Sequence, residues 1–421
     1  MRIAVLVGEF PELSSTFILD NITGLLDSGH DVHVFARRPR KPGPIHADYA
    51  RYGLSERTHY WWGSSRETLG RALALVRQDP QRNGRALLRS LDVAKHGSHA
   101  LFGRWFSYAA GMLSEPAFDV VLAQFGTNGR VAETLRSIGA FDAPIATTWL
   151  GYDLSRIIKE HGPRHYARLL AHGELQLPLS QHFRERLLAL HCPPERIHVH
   201  HVGVDTRLFA FAPRTLPEGQ VARIVTVCRL VEKKGIEFAL RALAQVQSAG
   251  GTFHFDVVGD GPLRGQLEQL TRELGLAPHV TLHGPKTRHE VSTLLGRSHL
   301  FLSPSVTAKD GDEEGVPAAI KEAMAVGLPV VSTFHAAIPE VVVDGVTGYL
   351  VAERDVDNLA DRLLRLLRAP ERWADMGTAG RALIERAYDL HALNRQLAER
   401  LEQLAIAYRA QPKGELGQRS V

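Results

Sequence analysis

The chain has 421 residues, 44% hydrophobic and 23% charged, a balance that suits two or three globular domains and excludes a disordered or fibrous protein. Its two cysteines, Cys192 and Cys228, have no CxxC spacing, which indicates neither a disulfide framework nor a zinc site and suits buried thiols in a reducing cytoplasm. The net charge is only +4, no apolar run approaches the ~18 residues of a bilayer span, and the short apolar run behind Met1-Arg2 reads as a strand rather than a signal peptide.

In chain order, a strand is expected over Ile3 to Val7, with Gly8-Glu9-Phe10-Pro11 as its exit loop. Ser14, Ser15 and Thr16 are candidate N-caps for a helix from Phe17 to Ser28. Gly29 stops that helix, and Asp31 to Ala36 reads as the next strand. The same glycine stop recurs at Gly139 before Ile145-Ala146-Thr147 and at Gly327 before Val330-Val331, the rhythm of β-α-β units in a parallel sheet. Arg37 to Pro44 is a basic, proline-rich loop.

A basic helical segment follows. Arg66, Arg71, Arg77, Arg82, Arg85, Arg89, Lys95 and Arg104 face only Glu67, Asp79 and Asp92, with Leu69, Ala72, Leu73, Leu75, Val76, Leu87, Leu88 and Leu91 between them. Such a pattern suits either an anionic membrane surface or a helical insertion with a solvated basic face. No nucleic-acid-binding motif accompanies the charge. Phe118 to Ala123 is a strand, and Ile145 to Trp149 leads into Leu150-Gly151-Tyr152-Asp153-Leu154. Leu175 to Ser180 and His198 to His201 read as the last short strands of this half, and Pro213, Pro217 and Gly219 mark a linker.

The second half restarts the pattern. Ile224 to Cys228 is a strand, Arg229 to Gly235 a cationic loop, and Ile236 to Ala249 an amphipathic helix. A cationic loop opening onto a helix N-terminus suits a diphosphate, with Arg as a fork of donors and Lys as a point charge. Phe253 to Val258 ends in Gly259-Asp260-Gly261-Pro262, and Val280 to His283 ends in Gly284-Pro285-Lys286. Leu302 to Thr333 then reads as strand, irregular loop, helix, tight turn and strand. Its loop would lie at the carboxyl end of a parallel strand, where open α/β sheets bind ligands. Two carboxylates frame it, Glu314 on the loop and Glu322 a little over one turn into the helix. The neighbouring Asp310, Asp312 and Glu313 lack calcium-loop spacing and read as a solvated acidic loop, with no metal expected. Asp357 to Leu367, Trp373 to Arg386 and His391 to Tyr408 read as helices.

Glu314-Gly315-Val316-Pro317, followed by Ile320-Lys321-Glu322-Ala323-Met324-Ala325 and Gly327-Leu328-Pro329-Val330-Val331, resembles the paired-glutamate motif of retaining GT-B-fold glycosyltransferases of the large bacterial family-four type (glycosyltransferase group 1). Leu13-Ser14-Ser15-Thr16-Phe17-Ile18 is similar to a leader run in the branch that builds exopolysaccharides such as colanic acid. The resemblance is densest from Gly203 to Val351 and looser from Met1 to Asp153. It implies two Rossmann-like α/β domains facing a cleft: an acceptor-side domain over 1–205 with a helical insertion at about 64–113, a linker over 206–222, and a nucleotide-sugar domain over 223–388. A final helix over 389–411 would return to the first domain, and the tail 412–421 would be disordered.

It further implies metal-independent transfer of a sugar from a UDP- or GDP-sugar co-substrate, without a cofactor, to a glycan or lipid-linked acceptor at the inner face of the cell membrane. Arg229 and Lys234 would hold the diphosphate and Glu314 the transferred sugar, these three being catalytic. Glu322 would hold the ribose. Gly8, Gly259, Gly261, Gly284, Pro285, Gly315, Val316, Pro317 and Ala318 would complete the donor site. Leu150, Gly151 and Asp153 would face the sugar or acceptor. The family usually carries a histidine where this chain has Leu150, with His161 and His165 nearby as candidate substitutes. That departure leaves open a second reading, a non-catalytic nucleotide-sugar-binding protein on the same fold.

Overall fold

A computed structural model describes residues 1–11, 16–39, 46–61 and 65–411. The candidate caps Ser14 and Ser15, residues 40–44 of the basic loop, the start of the leader run and the tail 412–421 lie outside the described residues.

Twelve strands form two separate parallel sheets of six among the described residues. The first holds β1 (Arg2–Phe10), β2 (Asp31–Pro39), β3 (Thr58–Tyr60), β4 (Val120–Gln124), β5 (Ile145–Trp149) and β6 (Leu175–Pro178), in the order β3-β2-β1-β4-β5-β6. The second holds β7 (Ala222–Val227), β8 (Phe253–Val258), β9 (Val280–Gly284), β10 (Leu300–Ser303), β11 (Val330–Thr333) and β12 (Gly348–Val351), in the order β12-β11-β10-β7-β8-β9. Helices cover both faces. Strands β4, β5, β10 and β11 are therefore buried along their whole length and read as mainly apolar runs rather than alternating ones. Strand order reverses between β1 and β4 and between β7 and β10, so each sheet has a crevice at the carboxyl ends of those strands. This is a two-sheet α/β fold with GT-B architecture.

Two sequence expectations need correction. β1 does not stop at Val7: Glu9 pairs with Arg38 and Phe10 with Pro39, so Gly8 lies within the strand. His198 to His201 runs extended beside β6 but builds no strand. His198 N–H donates to the Gln176 carbonyl and His200 N–H to the Pro178 carbonyl, while Pro178 has no N–H to return a bond.

The basic segment forms helices Ser65–Gln78, Arg82–Ser90, Val93–His96, Ser98–Leu101 and Arg104–Leu113. Its apolar residues divide. Ala72, Leu75 and Leu87 enter the core with Trp105 and Tyr108, whereas Leu69, Leu73, Leu88, Leu91, Leu101 and Phe102 stay exposed.

The chain passes between the sheets twice at one place. Val204 bridges to Asp389, and a Cβ on Gly203 would lie 2.6 Å from Leu390 Cα. Asp389 caps the last helix, Leu390–Ala410, by accepting the Ala392 N–H. That helix lies on the first unit. Leu397, Leu401 and Ala405 join the apolar layer of Ile3, Val5 and Ile22. Asn394 Nδ2 donates to the Asp20 carbonyl at 3.0 Å, in a gap made by Gly24 of helix Thr16–Asp27. A Cβ on Gly24 would stand 2.2 Å from the Asn394 amide. Gly24→Val should therefore force the two helices apart and cost ~1–3 kcal/mol of stability. Chemical denaturation checks this, and a variant as stable as the parent would contradict close packing there.

Candidate active site

The loops leaving β7 and β10, neighbours in the second sheet, meet at Gly235. This residue has φ +63, and a Cβ would lie 1.9 Å from the Pro304 carbonyl oxygen, so only glycine fits. The contact brings the short 3₁₀ turn Glu232–Lys234 against the loop that carries Glu314. Lys234 Nζ lies 2.9 Å from one Glu314 oxygen, and Lys233 Nζ lies 3.4 Å from the other. Lys233 also reaches Asp312 at 3.1 Å and donates to the Glu313 carbonyl. Glu314 is buried. Burial pushes its carboxyl up, but the ammoniums of Lys234 and Lys233 outweigh that and hold its pKa at about 2. Burial conversely lowers the Lys234 pKa, and Glu314 more than reverses the effect. The structure thus unites Glu314 with Lys234. Arg229 opens the same loop, exposed, with its charge felt at Lys234.

The acidic cluster is solvated only in part: Asp310 stays exposed as expected, whereas Asp312 and Glu313 are largely covered and paired, and that part of the expectation is corrected. Arg156 lies 3.6 Å from Asp310, Lys233 takes Asp312, and Arg186 lies 2.6 Å from Glu313 with His182 at 3.6 Å. Arg156, Arg186 and His182 belong to the first unit, so the loop fastens the two units together. Lys159 adds a hydrogen bond to the Lys309 carbonyl. His33, His59 and Glu115 are the only three potential metal ligands that cluster among the described residues. They lie towards the amino ends of the first sheet, away from the cleft, and Arg2 bonds both His33 and Glu115.

Leu150 and Gly151 face this loop from the first unit. A Cβ on Gly315 would lie 3.2 Å from the Leu150 carbonyl, and one on Gly151 would lie 3.8 Å from the Glu313 carbonyl. Asp153 does not face the sugar site. It is fully buried, and its carboxylate accepts the N–H groups of Gly126, Gly151 and Leu150, so it anchors the loop from inside. His161 and His165 stack on each other, with His165 against Arg130, and no contact carries either into the cleft.

Helix Ala318–Ala325 has Pro317 as its N-cap, with no side-chain cap, so the first amides stay available to an anion. Glu322 lies on this helix in the field of Arg288, Lys321 and Asp20; burial raises its pKa, and Arg288 and Lys321 oppose the rise. Arg288 itself pairs with Asp20 of the first unit at 3.0 Å. Gly259 (φ +126) lies against Cys228, where a Cβ would meet the carbonyl oxygen at 1.8 Å, and Gly261 lies against the Leu230 backbone. Gly284 accepts the Gly259 N–H, Pro285 is exposed beside it, and a Cβ on Gly8 would meet open space. Sequence reasoning did not select Lys233, Arg186, Arg288, Asp20 or His335. Lys233 was visible beside Lys234, but the others carry no local signal because their partners are remote in sequence.

The Glu314 network has a pH signature. The folded-state pKa lies below the ordinary 4.5, so its contribution to stability is present above about 4.5 and lost as pH falls towards 2. Glu314→Gln removes the charge facing two partly buried ammoniums, of which Lys233 keeps Asp312, and should cost ~1.5–3 kcal/mol at pH 7. The deficit should shrink on acidification through that window. Denaturation of both proteins at several pH values checks this, and a pH-independent deficit would contradict it.

Residues 211–383 match the family described as glycosyl transferases group 1. Over 411 residues the chain is 36% identical to the amylovoran biosynthesis glycosyltransferase AmsK of Erwinia amylovora, covering 96% of this chain and all of that one. It is 34% identical over 406 residues to the putative colanic acid biosynthesis glycosyltransferase WcaL of Salmonella typhimurium, with the same coverage. Anabaena HepE, solved with UDP-glucose, superimposes with a TM-score of 0.71 at 19% identity, over 96% of this chain and all of that one. Sucrose-phosphate synthase from Thermosynechococcus elongatus gives 0.70 at 20%, over 97% of this chain and all of that one. At such identities these two likenesses speak to the fold, whereas the full-length relatives speak to descent: the chain belongs to the group 1 glycosyltransferases.

Proposed function

We propose that this protein is a retaining glycosyltransferase that moves a sugar from a UDP- or GDP-sugar to a glycan or lipid-linked intermediate of exopolysaccharide assembly. The observation that carries the reading is Glu314 held between Lys233 and Lys234 at the switch point of the second sheet. An ammonium has three donors. Lys234 spends one on Glu314 and keeps others for a diphosphate, together with Arg229 and the amides at Val316 to Ala318. These groups stand where negative charge grows as the bond from anomeric carbon to diphosphate oxygen breaks. Glu314 holds the transferred sugar, and Glu322 holds the ribose. The acceptor oxygen attacks the anomeric carbon from the face the diphosphate leaves, and its proton passes to the leaving phosphate. No metal is needed in this scheme, because the cations neutralise the leaving group. AmsK and WcaL, named for amylovoran and colanic acid, support the pathway, and HepE with UDP-glucose supports the donor class. Leu150 favours one other reading, a binding protein without turnover, since an apolar side chain stands where the family has a histidine.

The same reading places the enzyme on the cytoplasmic membrane surface, the site of lipid-linked acceptors. The insertion offers Phe102 at 81% exposure and Leu88 at 72%, beside exposed Arg82, Arg85, Arg89, Lys95 and Arg104. Exposed apolar side chains interspersed with exposed cations along one segment match an anionic lipid leaflet. No helix among the described residues is long and apolar enough to cross a membrane.

Lys234→Ala should weaken nucleoside-diphosphate binding by ~1.5–3 kcal/mol and leave binding of the bare nucleoside nearly unchanged. Calorimetry showing equal losses for both ligands would overturn the diphosphate assignment. Binding to anionic vesicles should fall with salt and disappear on charge reversal of Arg82, Arg85 and Arg89. Equal sedimentation with neutral vesicles would contradict membrane docking.

A further inference from the structure

The loop that carries Glu314 is sewn to the exits of β11 and β12 by side chains that the scheme above does not use. The Ser332 hydroxyl donates to the Ser303 carbonyl at 2.5 Å, and the Thr333 hydroxyl donates to the Ser305 carbonyl at 2.5 Å. Further along, the Glu314 backbone N–H donates to His335 Nε2 at 3.0 Å. A backbone N–H can only donate, so Nε2 must carry the lone pair and Nδ1 the proton. Nδ1–H then donates to Glu353 Oε1 at 2.6 Å. Glu353 also accepts the Thr307 N–H at 2.9 Å and the Thr307 hydroxyl at 3.2 Å. Arg354 closes the circuit, donating to Glu353 at 3.1 Å and to the Thr307 carbonyl at 2.5 Å. One carboxylate thus holds the loop near its start directly and at Glu314 through an imidazole.

Two features mark the arrangement as imposed rather than incidental. His335 is buried at 1% exposure, so its ring nitrogens have no water to fall back on. Ala336 and Arg354, the residues that follow His335 and Glu353, sit at φ +44 and +64. That region costs a residue with a Cβ on the order of 1–2 kcal/mol, and such strain persists where surrounding structure demands it.

We infer that His335 and Glu353 form a buried brace that sets the position of the Glu314 peptide, making His335 a positioning residue for sugar transfer. The inference rests on the proposed role of Glu314. Its chemistry is purely geometric: the brace makes no contact with the transferred group, and it holds the catalytic carboxylate against Lys233 and Lys234. A misplacement of about 1 Å at such a group can cost ~100-fold in rate.

The test uses the full chain and two readouts. His335→Phe fills the volume and offers no acceptor, whereas His335→Gln can offer an amide oxygen to the Glu314 N–H. Expected is a kcat fall of ~10–100-fold in His335→Phe, with nucleoside-diphosphate affinity within about threefold of the parent, and recovery of most of the loss in His335→Gln. Amide hydrogen exchange reads the brace without any turnover: the Glu314 amide should be protected in the parent and in His335→Gln, and should exchange faster in His335→Phe. Should His335→Phe fail to fold, Glu353→Gln provides the second variant; it keeps an acceptor for Thr307, removes the charge that orients His335, and should also speed exchange at Glu314. Equal kcat losses in the Phe and Gln variants, or unchanged Glu314 exchange in both His335→Phe and Glu353→Gln, would overturn the brace. A parent that protects the Glu314 amide yet transfers no sugar would sink the proposed function and leave the brace standing.

Discussion

A carboxylate buried between two ammoniums governs the cleft of this protein. The buried carboxylate is not stable there alone, since an unpaired buried ion costs several kcal/mol, while the two ammoniums are partly exposed. Together they compensate, and the depressed pKa of Glu314 records the balance. The pairing exists because β7 and β10 are adjacent in the sheet, so their exit loops are neighbours although the residues are far apart in sequence. Gly235 lets those loops touch, and Glu353 with His335 holds one of them from behind.

The same loop is an electrostatic fastening between the two units, through Glu313 to Arg186 and, at the surface, Asp310 to Arg156. A second fastening lies one turn along the following helix. Lys321 is buried, donates to the Val202 carbonyl at 2.5 Å, and has its ammonium 5.5 Å from the Tyr388 ring centre. Val202 and Tyr388 flank the place where the chain crosses between units twice. Burial pushes the Lys321 pKa down to about 7, with the neighbouring Glu322 opposing the fall. The helix that carries Glu322 is thereby tied to the crossing itself.

Much of this was legible in the sequence for plain reasons. Parallel strands buried on both faces read as apolar runs, and Phe253–Val258 and Ile145–Trp149 fall where those runs predict. The strand, loop, helix and strand from Leu302 to Thr333 are also found nearly to the residue, because Pro317 and Gly327 punctuate the helix. Charge partners were not legible. The acidic loop read as solvated because two of its cations, Arg156 and Arg186, lie on helices of the other unit, more than a hundred residues away. The family resemblance places Asp153 at the sugar side, and its saturation by three backbone N–H groups depends on a turn that joins residues distant in sequence. His198 to His201 had the composition of a strand, but Pro178 denies it the returning hydrogen bond.

The central claim is sugar transfer with retention by a site whose cations face the leaving diphosphate. It is tested most directly by supplying the purified chain with UDP- and GDP-sugars and a lipid-linked glycan extract, isolating the product, and reading its anomeric configuration by NMR. The account predicts a new glycosidic bond with the same anomeric configuration as the donor. A product of inverted configuration would contradict the retaining mechanism, and nucleotide-sugar binding without any product would contradict the assignment of Glu314 and Lys234 to catalysis.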